Sequence, residues 1–167
     1  LLDYNVHNNN NTNVTIVGSA IGDEDGTVSF ATSSDLGIGP AGGFVTAASP
    51  GRDSAVSIQK LDSFFKARPE ISIDWIKLDT DGHELQALDG MVSLSERSPN
   101  MKLILEVDPS HFGSTEHMTK LYKKLLSLGF QRGFVAERNY EEISLSAPPF
   151  ISDHNLNVIF EKHTTSI

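Results

Sequence analysis

The stretch from Ile73 to Gly90, IDWIKLDTDGHELQALDG, changes its hydrophobic period midway. Its first part is an apolar run typical of a buried strand, whereas Leu85, Leu88 and Val92 follow with helical spacing. Between them lies a polar turn with two aspartates, a glycine and a His-Glu pair. Ligands of open parallel sheets bind just beyond the carboxyl ends of the strands. This turn is therefore the first candidate for a functional site.

Similar patterns occur on both sides of this stretch. Upstream, the sequence predicts the end of a helix over residues 1–7, strands over 14–17, 27–30 and 56–58, and a short helix over 61–65. Asp25-Gly26 between two β-rich runs predicts a hairpin. Downstream, it predicts a helix interrupted at Gly90, a helix over 115–128, and strands over 102–107, 130–136 and 156–161.

The order of these elements predicts the fold class. Strand and helix alternate from Val56 to Gly129, which is typical of parallel strands with crossover helices. The last two strands have no helix between them, which predicts an antiparallel pair. We therefore expect a single α/β domain with a Rossmann-like sheet, mostly parallel and ending in an antiparallel C-terminal strand pair.

Residues 31–55 are rich in glycine, serine and alanine and show no periodicity. This composition predicts a surface loop, or a lid over a site. Its Gly37-Ile38-Gly39 follows no predicted strand and begins no helix, so it is not a dinucleotide-binding fingerprint.

Composition limits the classes of function. The 167 residues include 13 Lys+Arg and 22 Asp+Glu, a net charge of −9, which argues against a nucleic-acid partner. No run of 18 apolar residues is present, so we expect no membrane partner. The lack of cysteine excludes a disulfide framework and a thiolate zinc site, and fits a reducing, cytoplasmic compartment.

The stretch from Ile76 to Gly90, IKLDTDGHELQALDG, resembles the IKxDxEGxExxxLxG signature of the FkbM-type S-adenosylmethionine-dependent methyltransferases. Further segments resemble the family in the same order, namely VTIVGSAIGDEDGTVSF (14–30), VSIQKLDSFF (56–65), LILEVDPSHF (103–112) and NVIFEK (157–162). The resemblance implies a partial class I methyltransferase fold.

The sequence departs from the family pattern in two ways. Asp81 stands where the signature has glutamate, which shortens the side chain by one methylene. The family's first two strands, with their glycine-rich turn and terminal acid, have no counterpart here and are expected upstream of Leu1. The chain is thus expected to be the C-terminal two-thirds of a methyltransferase domain, truncated at its N-terminus.

The resemblance implies methyl transfer from S-adenosylmethionine to a hydroxyl of a sugar-like or other small-molecule acceptor. It also implies an in-line displacement in which the protein positions the groups and accepts a proton. Together with the strand-end placement, it assigns site residues: Asp79, Asp81 and His83 for catalysis; Ser19, Ala20 and Asp79 for cofactor binding; Glu84, Glu106 and His111 for acceptor binding. No metal is predicted.

Other interpretations of these residues remain open. Asp79 and Asp81 can simply cap the following helix, and His83 can be structural. The turn also matches the hhhhDxDG opening of haloacid-dehalogenase-type phosphohydrolases, although no acidic pair of the GDxxxD kind follows. An EF-hand starting at Asp79 fails because Glu84 and Gly90 stand where glycine and glutamate are needed. A non-catalytic methyltransferase remnant that binds a partner is the second functional hypothesis.

Overall fold

The computed structural model describes residues 2–32, 43–46, 54–147 and 152–162, which form two sheets with flanking helices. In chain order the helices and strands are α1 (Leu2–Asn8), β1 (Ala20–Ile21), β2 (Gly26–Thr32), β3 (Gly43–Thr46), β4 (Ser54–Gln59), α2 (Leu61–Phe64), β5 (Trp75–Leu78), α3 (Glu84–Asp89), α4 (Val92–Glu96), β6 (Lys102–Val107), α5 (Pro109–Phe112), α6 (Thr115–Ser127), β7 (Phe130–Val135), β8 (Glu141–Ser144) and β9 (Leu156–Lys162). None of the helices within these ranges has the length and apolar character needed to cross a membrane.

The larger sheet has the strand order β5-β6-β9-β7-β8 and holds the main core. Along β6, Leu103, Leu105 and Val107 are buried while the alternate residues stay partly exposed, as expected for a strand with one covered face. Val158 and Phe160 of β9 continue this buried face. The helices α3, α4 and α6 contribute the opposing apolar side chains, Ala87, Leu88, Leu94, Met118, Leu121 and Leu125.

The α/β class is confirmed, but the sheets are mixed rather than mostly parallel. Among the described strands, β1 with β4 and β5 with β6 pair in parallel, whereas the other five pairings are antiparallel. The physical reason lies in β9, which inserts between β6 and β7 and therefore forms antiparallel ladders with both. The predicted antiparallel C-terminal pair is present as β7 and β9, and β8, which was not predicted, extends it.

The prediction for residues 14–30 is wrong in two respects. Residues 14–17 form no strand, and Val14, Ile16 and Val17 are exposed because no described strand pairs with them. The predicted hairpin at Asp25-Gly26 does not form either, since β4 lies between β1 and β2. The Asp25 carboxylate instead accepts hydrogen bonds from the Lys60 amide (2.9 Å) and the Ser63 hydroxyl (2.6 Å), which hold the turn against the start of α2.

The glycine-rich segment over 31–55 contains the end of β2, all of β3 and the start of β4. The strand β3 pairs antiparallel with β2, so part of the predicted loop or lid is a strand. The remainder, residues 33–42 and 47–53, lies outside the described residues.

Gly90 interrupts the helix as predicted and also joins the two sheets. A Cβ atom at Gly90 would overlap the carbonyl oxygen of Gly22, which directly follows β1, so only glycine permits this approach. The Asp62 amide of α2 donates to the Gly90 carbonyl (2.9 Å). The Asp62 carboxylate then accepts from the Ser93 and Leu94 amides (3.0 and 2.7 Å) at the start of α4. This junction fixes the smaller sheet beside α3, the helix that begins at the candidate site.

Candidate functional site

The turn between β5 and α3 is built on two residues with left-handed backbone. Asp81 has φ of 48° and Gly82 has φ of 98°. Glycine adopts this region without steric cost, and aspartate is among the few other residues that tolerate it. The chain therefore reverses tightly after the strand and brings the His83 amide to the Thr80 carbonyl (3.3 Å).

Glu84 holds this turn from inside. Its side chain is buried, and its Oε1 atom accepts hydrogen bonds from the Thr80 amide (3.1 Å), the Thr80 hydroxyl (3.0 Å) and the Gly82 amide (3.3 Å). The Oε2 atom is buried and has no hydrogen-bond partner among the described residues. A buried carboxylate that accepts several hydrogen bonds stabilises the backbone around it. The acceptor-binding role of Glu84 stays a prediction, and its internal contacts already give it a structural one.

Asp79 lies at the carboxyl end of β5 and is ionised at neutral pH. The Lys77 ammonium donates a hydrogen bond to the Asp79 carboxylate and holds the pKa of that carboxyl below its ordinary value, against a smaller opposing effect of burial. The paired residues Leu78 and Leu105 end the contact between β5 and the neighbouring strand β6, so Asp79 and Glu106 follow side by side at the carboxyl ends of these two strands. Glu106 accepts a hydrogen bond from the Asn155 amide group (3.0 Å). Two predicted site residues thus meet across adjacent parallel strands.

His111 lies in α5, the short helix after β6, and its ring packs against the turn. A Cβ atom at Gly82 would stand 2.6 Å from the His111 Cδ2 atom and 2.7 Å from Nε2, so the absence of a side chain at Gly82 makes room for the imidazole. The His111 Nδ1 atom is 3.3 Å from the Ser110 hydroxyl and 3.8 Å from the Asp108 carboxylate. The amide of Ser110 donates to that carboxylate and keeps the pKa of Asp108 low.

A cavity of about 270 Å³ lies where this turn meets α5 and α6. Its lining contains no carboxylate, ammonium or guanidinium group and consists of Gly82, Leu85, Gln86, Ser110, His111, Phe112 and His117. The sequence analysis missed Gln86, Ser110 and His117. These three come from α3, α5 and α6, so no spacing along the chain could have grouped them.

A second cavity, of about 190 Å³, lies beside the smaller sheet. It is mainly apolar and is lined by Val17, Ser19, Ile21, Gln59, Leu61, Phe64 and Phe65. The Gln59 side-chain amide donates to the Ser19 hydroxyl (2.5 Å). Ser19 thus lines a cavity in the region predicted for the cofactor, and Ala20 follows it as the first residue of β1.

A family model described as the methyltransferase FkbM domain matches residues 1–132. The chain belongs to the FkbM methyltransferase family. No curated protein and no solved structure matches it. The matched region includes both cavities and the whole strand-end turn, and ends within β7. Membership in this family favours methyl transfer over the phosphohydrolase alternative.

The remaining predicted residues of this FkbM domain lie in the same turn. Asp81 is exposed, and its side chain makes no hydrogen bond to the described residues. His83 is the N-cap residue of α3, yet neither it nor the two aspartates caps the helix through a side chain. The capping alternative for Asp79 and Asp81 therefore has no support in these hydrogen bonds. Within the described ranges, no three His, Asp or Glu side chains are grouped so as to hold a metal ion.

Proposed function

We propose that this FkbM domain transfers a methyl group from S-adenosylmethionine to a hydroxyl of a sugar-like or other small acceptor. The observation that carries the proposal is the meeting of Asp79 and Glu106 at the carboxyl ends of the parallel strands β5 and β6. In open α/β sheets this is the edge at which ligands bind. Family membership supports the reaction class, and the hydroxyl acceptor is our extension of it.

The cavity beside Ser19 is suited to the adenosine part of the cofactor. Phe64 and Phe65 offer apolar surface to a flat ring, while Ser19 and Gln59 offer polar atoms at its edge. In this proposal Ser19 and Ala20 contact the adenine, and Asp79 faces the part of the cofactor that carries the methyl group. The cofactor supplies an electrophilic methyl group on a positively charged sulfur, which an ionised Asp79 stabilises electrostatically.

The residues of the turn then act on the acceptor. Asp79 is kept ionised by Lys77, so it accepts a hydrogen bond from the acceptor hydroxyl and orients it. His83 makes no side-chain hydrogen bond to the described residues and can take the proton that the hydroxyl loses. Asp81 increases the negative charge around this proton. In this proposal His111 contacts the acceptor, Glu106 stands beside Asp79, and Glu84 holds the turn that faces the acceptor.

A second candidate function is a non-catalytic domain that binds a partner. The observation that favours it concerns β5, which among the described strands pairs only with β6 and leaves Trp75 53% exposed. An open edge beside an exposed aromatic ring is a common feature of binding surfaces. The two functions differ in whether the protein binds the cofactor.

Calorimetric titration with S-adenosylhomocysteine distinguishes the two functions. The variants Asp79→Asn and Asp74→Asn form a matched pair, because these two aspartates lie at opposite ends of β5. We expect the wild-type protein and Asp74→Asn to bind S-adenosylhomocysteine. We expect the rate of methyl transfer by Asp79→Asn to fall by about a hundredfold or more. Turnover is followed as transfer of an isotope-labelled methyl group into a small-metabolite extract. The same titration on a protein extended upstream of Leu1 tests whether further cofactor contacts lie there. Absence of binding by both proteins would overturn the proposal in favour of the non-catalytic domain.

A further inference from the structure

We propose that the cavity between α3, α5 and α6 is the acceptor-binding site, and that it selects an uncharged, hydroxyl-bearing ring over an anionic one. Gln86 and His117 are its specificity-determining residues. This inference rests on the proposed methyl transfer, and it adds residues and a selection rule that the family match does not supply.

The position of the cavity connects it to the reactive turn. Gly82 forms part of its wall and belongs to the same tight reversal as Asp79 and His83. The His111 ring packs against Gly82 and lines the same part of the cavity. An acceptor in the cavity therefore lies against the turn that carries the residues proposed to orient its hydroxyl and remove its proton.

The size and lining of the cavity define the ligand. The cavity volume is about 270 Å³. Pockets for drug-sized ligands start at about 300 Å³, so this cavity suits one small ring. Leu85 and Phe112 provide apolar contact for a ring face, while Ser110, His111 and His117 provide hydroxyl and imidazole groups. Neutral donors and acceptors around apolar walls match a ring with several hydroxyl groups.

Gln86 supplies an amide side chain to the wall of the cavity. Its Oε1 atom is buried and has no hydrogen-bond partner among the described residues, although Gln86 lines the cavity. Leaving such an atom unpaired is costly, and native proteins rarely retain one without a reason. Because the Oε1 atom is covered, the NH2 group at the other side of the amide is the part of Gln86 that can donate a hydrogen bond to a ligand hydroxyl in the cavity.

The charges around the cavity explain why it would select an uncharged acceptor over an anionic one. The lining contains no lysine or arginine. The Asp108 carboxylate lies 3.8 Å from the His111 ring, and Asp81 and Glu116 are chain neighbours of the lining residues Gly82 and His117. The nearby Lys120 ammonium is paired with Glu116 (2.8 Å). A phosphorylated or carboxylated acceptor would therefore be repelled without a matching cation.

The test titrates the complete chain, in the presence of S-adenosylhomocysteine, with methyl α-D-glucopyranoside, myo-inositol and glucose 6-phosphate. Binding is followed through the imidazole NMR signals of His111 and His117, and cofactor affinity is measured separately by calorimetry. The variants are Gln86→Leu and His117→Ala, with Gln131→Leu and His7→Ala as controls at exposed positions of the same residue types. Gln86→Leu keeps the side-chain volume and removes the unpaired oxygen, so it should fold at least as stably as the wild type.

We expect at least one uncharged probe to shift both histidine signals saturably and glucose 6-phosphate to bind more weakly. Loss of one hydrogen bond in Gln86→Leu or His117→Ala should weaken the uncharged probe about fivefold, with cofactor affinity unchanged. Three outcomes would overturn this site assignment while leaving cofactor binding intact. They are unchanged probe affinity in both variants, tighter binding of glucose 6-phosphate than of the uncharged probes, and no shift of the histidine signals by either uncharged probe. Absence of cofactor binding by both the wild-type protein and the protein extended upstream of Leu1 would instead overturn the proposed methyl transfer.

Discussion

The two sheets of this FkbM domain differ in how well they are packed. The larger sheet has fully buried side chains on adjacent strands, including Leu103, Val158 and Phe160. In the smaller sheet, Ile58 is the buried apolar side chain among those described, and Val56 is only partly buried. The comparison shows that the well-packed core and the cavity between α3, α5 and α6 belong to the larger sheet, whereas the Ser19 cavity lies beside a sheet that contacts the rest of the fold at Gly90.

Truncating the larger core should have the largest effect. Leu103→Ala removes a fully buried side chain from β6 and should lower the free energy of unfolding by about 3 kcal/mol. Leu61→Ala makes the same change in α2, beside the Ser19 cavity, where the side chain is only partly buried, and should cost about 1 kcal/mol. Urea denaturation monitored by circular dichroism measures both values. Equal losses would remove the proposed difference between the sheets.

The junction between the sheets should be the next most sensitive point. Gly90→Ala places a methyl group against the Gly22 carbonyl oxygen, so the backbone must shift, at a cost of about 2 kcal/mol. Because Gly22 follows β1, this shift should also weaken S-adenosylhomocysteine binding at the Ser19 cavity. Gly18→Ala is the control, since the space around Gly18 is open. Denaturation and calorimetry should show no loss for the control; normal stability and affinity in Gly90→Ala would contradict the role of this junction.

A substitution of Glu84 tests how the larger sheet supports the turn between β5 and α3. Glu84→Ala removes three hydrogen bonds from Thr80 and Gly82 and should cost about 1–2 kcal/mol in unfolding free energy. The amide NMR signals of Thr80 and Gly82 should shift, whereas Glu70→Ala, at an exposed loop position, should leave them unchanged. If Glu84→Ala left these two amides unmoved, the carboxylate would not be what holds the turn.

The smallest effect is a pH dependence in the larger sheet. The Lys102 ammonium (2.6 Å) holds the pKa of Glu161 below its ordinary value, opposed by partial burial, and the Arg132 guanidinium (3.2 Å) lowers it further. The resulting stabilisation, of the order of 1 kcal/mol, is fully present above the unfolded-state pKa of about 4.3 and disappears as pH falls through the lower folded-state pKa. Glu161→Gln should therefore be less stable than the wild type at pH 7, and this difference should shrink as the pH falls below about 4. A constant difference across this pH range in urea denaturation would exclude the ion pair as its cause.

Much of this fold was predictable because its signals are local. The run KLILEV predicts β6 with its observed bounds, and the helical spacing after Thr115 predicts α6 to within one residue. The break at Gly90 was also predicted, although its cause, contact with Gly22, is not visible in sequence. The strand over 14–17 and the Asp25-Gly26 hairpin were wrong because strand formation depends on which other strand is available to pair.

By itself, the sequence determined the α/β class, the family and the position of the polar turn after β5, since each of these depends on contiguous residues. Tertiary structure alone decided that β9 inserts between β6 and β7, that Asp79 meets Glu106, and that Gln86, His111 and His117 line one cavity. The physical reason is that hydrophobic period and turn chemistry act over a few residues. Strand order and cavity walls depend instead on contacts between elements far apart in the chain, which no local pattern specifies.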